Sequence, residues 1–124
     1  RALRVLLVED SPRIATMLRD MLESDGGVRV VEVVSDEQSA IRQAQLAEVD
    51  VMILDLQLAK GTGFGVLSQL RDKRPVTVVL TNYALPEYRR RALALGAEYF
   101  LDKSKDLEKL QSIMTDLRGQ VGNG

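Results

Sequence analysis

The chain has 124 residues, 45% of them hydrophobic and 28% charged, with 17 Lys and Arg against 18 Asp and Glu and neither cysteine nor histidine. This is the size and balance of one ordinary folded domain with a real core, and it excludes a disordered chain, a disulfide framework and any thiolate or imidazole metal site. A formal charge of −1 offers no basic excess for nucleic acid, no apolar run approaches the ~20 residues of a membrane span, and the N-terminus lacks a signal-peptide layout, so a cytoplasmic domain is expected, trimmed from a longer product because it starts on Arg1.

Apolar runs alternate with helix-period segments along the whole chain. Leu3–Val8 reads as a buried strand. Ser11 and Pro12 then supply an N-cap and a first-turn proline, and Ile14, Met17, Leu18, Met21 and Leu22 fall on one helical face. Gly26 and Gly27 stop this helix, and the valine-rich Val28–Val34 predicts a second strand. Ser35 with Gln38 predicts a capping box for a second helix to about residue 46, carrying Ala40, Ile41 and Ala44.

Val51–Leu54 gives a third strand that ends on Asp55, followed by the glycine-bearing loop LAKGTG. Phe64, Leu67 and Leu70 put a narrow apolar stripe on a third helix, which Pro75 breaks before a fourth strand at residues 76–80. Pro86 opens a fourth helix that Gly96 ends, residues 99–101 form a short fifth strand, and Leu107, Leu110, Met114 and Leu117 mark a last amphipathic helix. Residues 1–118 therefore read as one domain and residues 119–124 as a flexible tail or the start of a linker.

Nearly all-apolar strands alternating with amphipathic helices imply an α/β fold, a parallel sheet covered on both faces and doubly wound by right-handed crossovers. Ligands of such sheets bind outside the carboxyl ends of the strands. The residues just past those ends are Glu9 and Asp10, Asp55, Thr81 and Lys103. Singly, each has a bland reading as a helix cap, a solvated turn or a surface charge. Together they converge on one edge of the sheet.

Converging acids need a cation, because two like charges ~4 Å apart repel by roughly 4 kcal/mol at an effective dielectric near 20. A site of oxygen donors alone suits Mg²⁺, which takes few carboxylates and keeps positions open for water or phosphate oxygens. With Mg²⁺ on Asp10 and Asp55, an aspartate becomes a nucleophile toward phosphorus, Lys103 neutralises equatorial charge, and Thr81 donates a hydrogen bond.

At this point the chain resembles bacterial two-component response-regulator receivers over nearly its whole length, through the segments VLLVEDSP, VMILDLQLAKGTG, VVLTNYA and GAEYFLDKS. The resemblance implies the flavodoxin-like strand order 2-1-3-4-5 with five helices. It implies Mg²⁺-dependent transfer of phosphate to Asp55 from a histidine of a sensor kinase or phosphotransfer protein, and a chain that catalyses only its own phosphorylation and dephosphorylation. Because the chain has no histidine of its own, the donor must be another molecule. Glu9 and Asp10 would hold the metal with Asp55 and the backbone carbonyl of Gln57. Thr81 and Phe100 would form a switch pair relaying phosphorylation to the face made by the fourth helix, fifth strand and fifth helix, through which a homodimer could also form. The resemblance also implies that Gln57 and Tyr83 occupy positions that tune phosphate lifetime in the family; Tyr83 either screens Asp55 from water or is a partly exposed loop aromatic.

Three positions depart from the family pattern. Ala59 stands where a proline is common, Ser104 follows Lys103 where a proline often forms a cis bond, and Phe100 lacks the hydroxyl of the commoner tyrosine. A trans bond is expected before Ser104, since a cis one costs ~2.5–4 kcal/mol without proline, and a Phe100 switch would work by ring packing. Arg89, Arg90 and Arg91 read as a solvated helix face in preference to a docking surface, since consecutive helical residues point apart.

The alternative reading is a receiver-like module that binds partners without phosphorylation; the intact acid, Thr and Lys set argues against it. A flavodoxin-type cofactor site is disfavoured by the loop Glu9-Asp10-Ser11-Pro12, which has no glycine and two negative charges. A haloacid-dehalogenase-type phosphatase would need a second acid where Gln57 stands.

Overall fold

A computed structural model describes residues 1–46 and 48–122. The elements in chain order are β1 (Leu3–Val8), α1 (Pro12–Glu23), β2 (Val28–Val34), α2 (Glu37–Leu46), β3 (Val51–Leu54), α3 (Gly63–Leu70), β4 (Val76–Thr81), α4 (Pro86–Ala94), β5 (Tyr99–Asp102) and α5 (Leu107–Gly122), with a 3₁₀ turn at Arg71–Lys73 after α3. The strands form one parallel sheet in the order β2-β1-β3-β4-β5. Chain reversal around β1 puts the carboxyl ends of β1 and β3 side by side at the sheet centre, where this class of fold places its ligand crevice.

The period of two along each strand divides the core between the faces. Leu3, Val5 and Leu7 of β1 point to one side, where Ala15, Leu18 and Leu22 of α1 meet Leu110, Met114 and Leu117 of α5. Leu6 and Val8 point to the other, with Met52, Leu54 and Val79, beneath Ala40 of α2, Phe64 and Leu67 of α3 and Ala92 of α4. Both faces are covered, so the central strands β3 and β4 are buried along almost their whole length, whereas the edge strand β2 exposes Arg29 and Glu32.

Four element ends differ from the sequence reading. Asp36, not Ser35, caps α2: its Oδ1 accepts the Ser39 N–H at 2.8 Å and its Oδ2 accepts the Ser39 hydroxyl at 3.1 Å. Ser35 serves elsewhere, its carbonyl accepting the Ala59 N–H at 2.9 Å. β4 and β5 each run one residue further, because Thr81 and Asp102 still pair across the ladder. α5 continues to Gly122, where residues from 119 on were expected to be a tail; Val121, one turn past Leu117, packs against the α1/α5 core and gives the helix a reason to persist. The last two residues of that expected tail lie outside the described residues. Among the described residues, no helix is long and apolar enough to cross a membrane.

Candidate functional site

Backbone hydrogen bonds fix the site residues before their side chains act. The Glu9 N–H donates to the Val34 carbonyl at 2.9 Å, the Asp55 N–H to Val8 at 3.1 Å, and the Lys103 N–H to Thr81 at 2.9 Å. Each residue thus extends its own strand by one ladder bond onto the end of a neighbour. Gly63 is required by the same arrangement: a Cβ there would sit 2.4 Å from the Asp55 carbonyl oxygen, while its N–H closes the loop onto Leu56 at 3.0 Å.

The side chains then converge. Lys103 Nζ donates to Glu9 Oε1 at 2.6 Å and to Asp55 Oδ2 at 2.7 Å, and these residues are 8%, 4% and 7% exposed. Burial alone would push the lysine pKa down; hydrogen bonds to Asp55 and Glu9, with their charges, outweigh it and raise the ammonium above the ordinary lysine value. Asp10 is exposed, yet it offers an oxygen that lies with those of Glu9 and Asp55 in a group no more than 4.8 Å across. Three carboxylates facing one ammonium leave an excess of negative charge at the sheet edge.

The remaining lone pairs are unevenly engaged. Glu9 Oε2 accepts the Ser11 N–H at 3.0 Å, whereas Asp55 Oδ1 accepts only a long bond of 3.3 Å from the Gln57 N–H. Among the described residues, neither the Asp10 carboxylate nor the Gln57 carbonyl accepts a hydrogen bond. The donor set of three carboxylates, with no nitrogen or sulfur ligand and a surplus of negative charge, fits a hard divalent cation such as Mg²⁺.

A cleft of about 190 Å³ opens over this group. Tyr83 lines it while remaining 47% exposed, so both readings of that residue describe its position. Ile14 and Asn82 also line it and carried no signal in the sequence, being an amphipathic-helix residue and a loop amide. Thr81 is fully buried, and its Oγ1 accepts the Tyr83 N–H at 3.1 Å. Phe100 is not at the cleft: its ring is 7% exposed in the α2/α3/α4 core.

The Lys103–Ser104 peptide is trans, as expected. A polar clasp shapes this turn: the Ser104 N–H and hydroxyl donate to Asp102 Oδ1 at 2.8 and 2.6 Å, and the Asp102 N–H donates to Asp106 Oδ2 at 2.8 Å. The pairing of Lys103 with Glu9 as closely as with Asp55 was not foreseen; it follows from the reach of a lysine just past β5 across the ends of β4 and β3.

The family model of the response regulator receiver domain matches residues 5–115. Among curated proteins, the chain is 30% identical, over 98% of its length, to protein-glutamate methylesterase/protein-glutamine glutaminase 1 of Methanospirillum hungatei, of which it covers 36%. It is 35% identical over 83% of its length to the corresponding protein of Symbiobacterium thermophilum, of which it covers 29%. The chain thus spans about a third of the length of the curated relatives it matches. The response regulator domain of CheB from Thermotoga maritima has the same fold, with a TM-score of 0.87 at 21% identity over 96% of this chain and 98% of that one. The receiver domain of a sensor histidine kinase from Pseudomonas aeruginosa, solved with a magnesium ion coordinated in its active-site cleft, gives 0.82 at 30% identity over 96% and 99%.

Proposed function

This chain belongs to the response regulator receiver family, a phosphorylatable signalling domain, and from that premise we propose that Asp55 accepts the phosphoryl group in a Mg²⁺-dependent transfer from a histidine of a sensor kinase or phosphotransfer protein. The observation that carries this reading is the buried Lys103 held at 2.7 Å from Asp55 beside an acidic group that needs a further cation.

Asp55 Oδ1 is the attacking oxygen, since Lys103 holds Oδ2 and only a long bond engages Oδ1. It bonds to phosphorus as the phosphorus–nitrogen bond of the donor breaks, and the departing imidazole takes a proton from solvent. Glu9, Asp10, Asp55 and the Gln57 carbonyl would hold Mg²⁺, which would supply neutralisation of charge on the transferring oxygens. The Lys103 ammonium, kept charged by its raised pKa, donates to a phosphoryl oxygen of the product. The Thr81 hydroxyl turns toward the same group, and the space it leaves lets the Phe100 ring repack between two states. Tyr83 at the cleft rim, with Gln57, governs access of hydrolytic water. The α4–β5–α5 face then presents the changed surface to a partner or a second copy.

The test is phosphorylation by acetyl phosphate with and without Mg²⁺, read by intact mass on wild type and Asp55→Ala. One phosphoryl group is expected on wild type with Mg²⁺ and none on the variant. A gain that survives the substitution refutes the assignment; no gain on folded wild type with Mg²⁺ favours a binding module that works without phosphate.

A further inference from the structure

Outside the acidic cleft, the first turn of α2 is joined to the loop that carries Gln57. The Glu37 N–H donates to the Lys60 carbonyl at 3.0 Å, and the Glu37 Oε1 accepts the Thr62 N–H at 2.9 Å. Thr62 is in turn the N-cap of α3, its Oγ1 accepting the Gly65 N–H at 3.1 Å. The Glu37 carboxylate therefore lies over the amino end of α3, where free N–H groups and the helix dipole favour an anion.

Two glycines make room for it. A Cβ on Gly61, whose φ is +80°, would meet the Glu37 Cβ at 2.5 Å, and a Cβ on Gly65 would meet Glu37 Oε1 at 2.1 Å. The carboxylate thus fills a recess bounded by the loop and by α3. The loop connects directly to the site: Thr62 bridges Gln57 in an antiparallel pair, the Gly63 N–H closes on the Leu56 carbonyl at 3.0 Å, and Gly63 abuts Asp55. One path of contacts runs from the Glu37 carboxylate through the Thr62 backbone to Gln57 and Asp55.

We propose that Glu37 is a positioning residue for the cation site, clamping the 57–62 loop through the Thr62 N–H so that the Gln57 carbonyl is held ready to ligate. The proposal rests on the reading of Gln57 as a backbone ligand. Outer groups that orient a metal's ligands typically change affinity by about 10–100-fold when removed; Glu37 acts through one hydrogen bond and a backbone pair, so about tenfold is expected.

The experiment is a Mg²⁺ titration of the unphosphorylated protein, with amide hydrogen exchange in metal-free buffer. Glu37→Ala is expected to weaken Mg²⁺ about tenfold and to speed exchange at Thr62 by a similar factor, with the melting transition still cooperative. Glu37→Gln keeps an acceptor for the Thr62 N–H and is expected to stay within about twofold of wild type. Gly65→Ala, which displaces the carboxylate while adding a residue of higher helix propensity, is expected to reproduce the Glu37→Ala loss and to add nothing to it in the double variant. Wild-type affinity in Glu37→Ala, an equal loss in Glu37→Gln, or unchanged exchange at Thr62 overturns the proposal. Accelerated Thr62 exchange in a protein whose wild type does not bind Mg²⁺ separates the two failures: the clamp stands and the cation site does not.

Discussion

Lys103→Met tests the electrostatic core of the site, because it removes the ammonium that pairs with Glu9 and Asp55 while keeping a long side chain. The ammonium's two ion pairs, at 2.6 Å to Glu9 and 2.7 Å to Asp55, are each worth roughly 6 kcal/mol at an effective dielectric near 20, before the desolvation of three nearly buried groups is subtracted. Removing one partner from such an arrangement leaves carboxylates buried and unpaired, which costs about 3–5 kcal/mol. Urea melts in metal-free buffer at neutral pH should show a loss of that size. The variant's acidic group has one more uncompensated negative charge, so it should bind Mg²⁺ more tightly than wild type. At about 100 times the dissociation constant, the ion should restore ~2.7 kcal/mol. The raised pKa fixes the pH dependence. The Lys103 contribution is complete below the unfolded lysine value and is lost as pH rises through the folded value, so wild type should lose this stability only in the strongly alkaline range, and Lys103→Met should show no such loss there. A neutral-pH loss below about 1 kcal/mol, the size of an exposed ion pair, or a loss that Mg²⁺ leaves untouched, would refute the reasoning.

Thr81→Val should cost about 1 kcal/mol in denaturant melts, since it removes the Tyr83 N–H acceptor in a partly buried hydrogen bond. Acetyl phosphate should still phosphorylate this variant, but the phosphorylation-dependent change in hydrogen exchange over α4 should disappear. Asp36→Ala removes the α2 cap and should lower stability by about 1 kcal/mol while leaving the Mg²⁺ titration unchanged, which separates the start of that helix from the Glu37 clamp one residue later.

The site was legible in the sequence wherever chemistry falls at a strand end. Asp55 and Lys103 follow short apolar runs, and the sheet rule converts that position into convergence without any long-range information. What stayed hidden depends on contacts between segments far apart in the chain. The cap of α2 shows why: Ser35 and Asp36 are both good caps, and only the use of the Ser35 carbonyl by Ala59 shows which one the fold assigns to the helix. Glu37 likewise looks like an ordinary first-turn acid until Thr62, 25 residues away, is found donating to it. The extension of α5 was hidden because a single apolar residue, Val121, had to be weighed against three glycines in the last six residues.

The three arginines of α4 bear on how a charge at Asp55 could be felt at a distance. As their sequence spacing implied, they diverge: Arg89 donates to the Phe100 carbonyl at 3.4 Å, Arg91 lies 4.2 Å over the Phe64 ring, and Arg90 is exposed. Phe64 also meets Tyr88 edge-on at 5.7 Å. Of the nine residues of α4 only Ala92 is buried, whereas α3 buries five of its eight. α4 is therefore held less by core burial than by a polar bond to β5 and by ring contacts to α3, the kind of attachment that opens at low free-energy cost. Under the proposed function, phosphorylation need not disrupt the hydrophobic core to alter this face. It need only favour a second placement of Thr81 and Phe100 by the few kcal/mol that separate two packings of a weakly anchored helix.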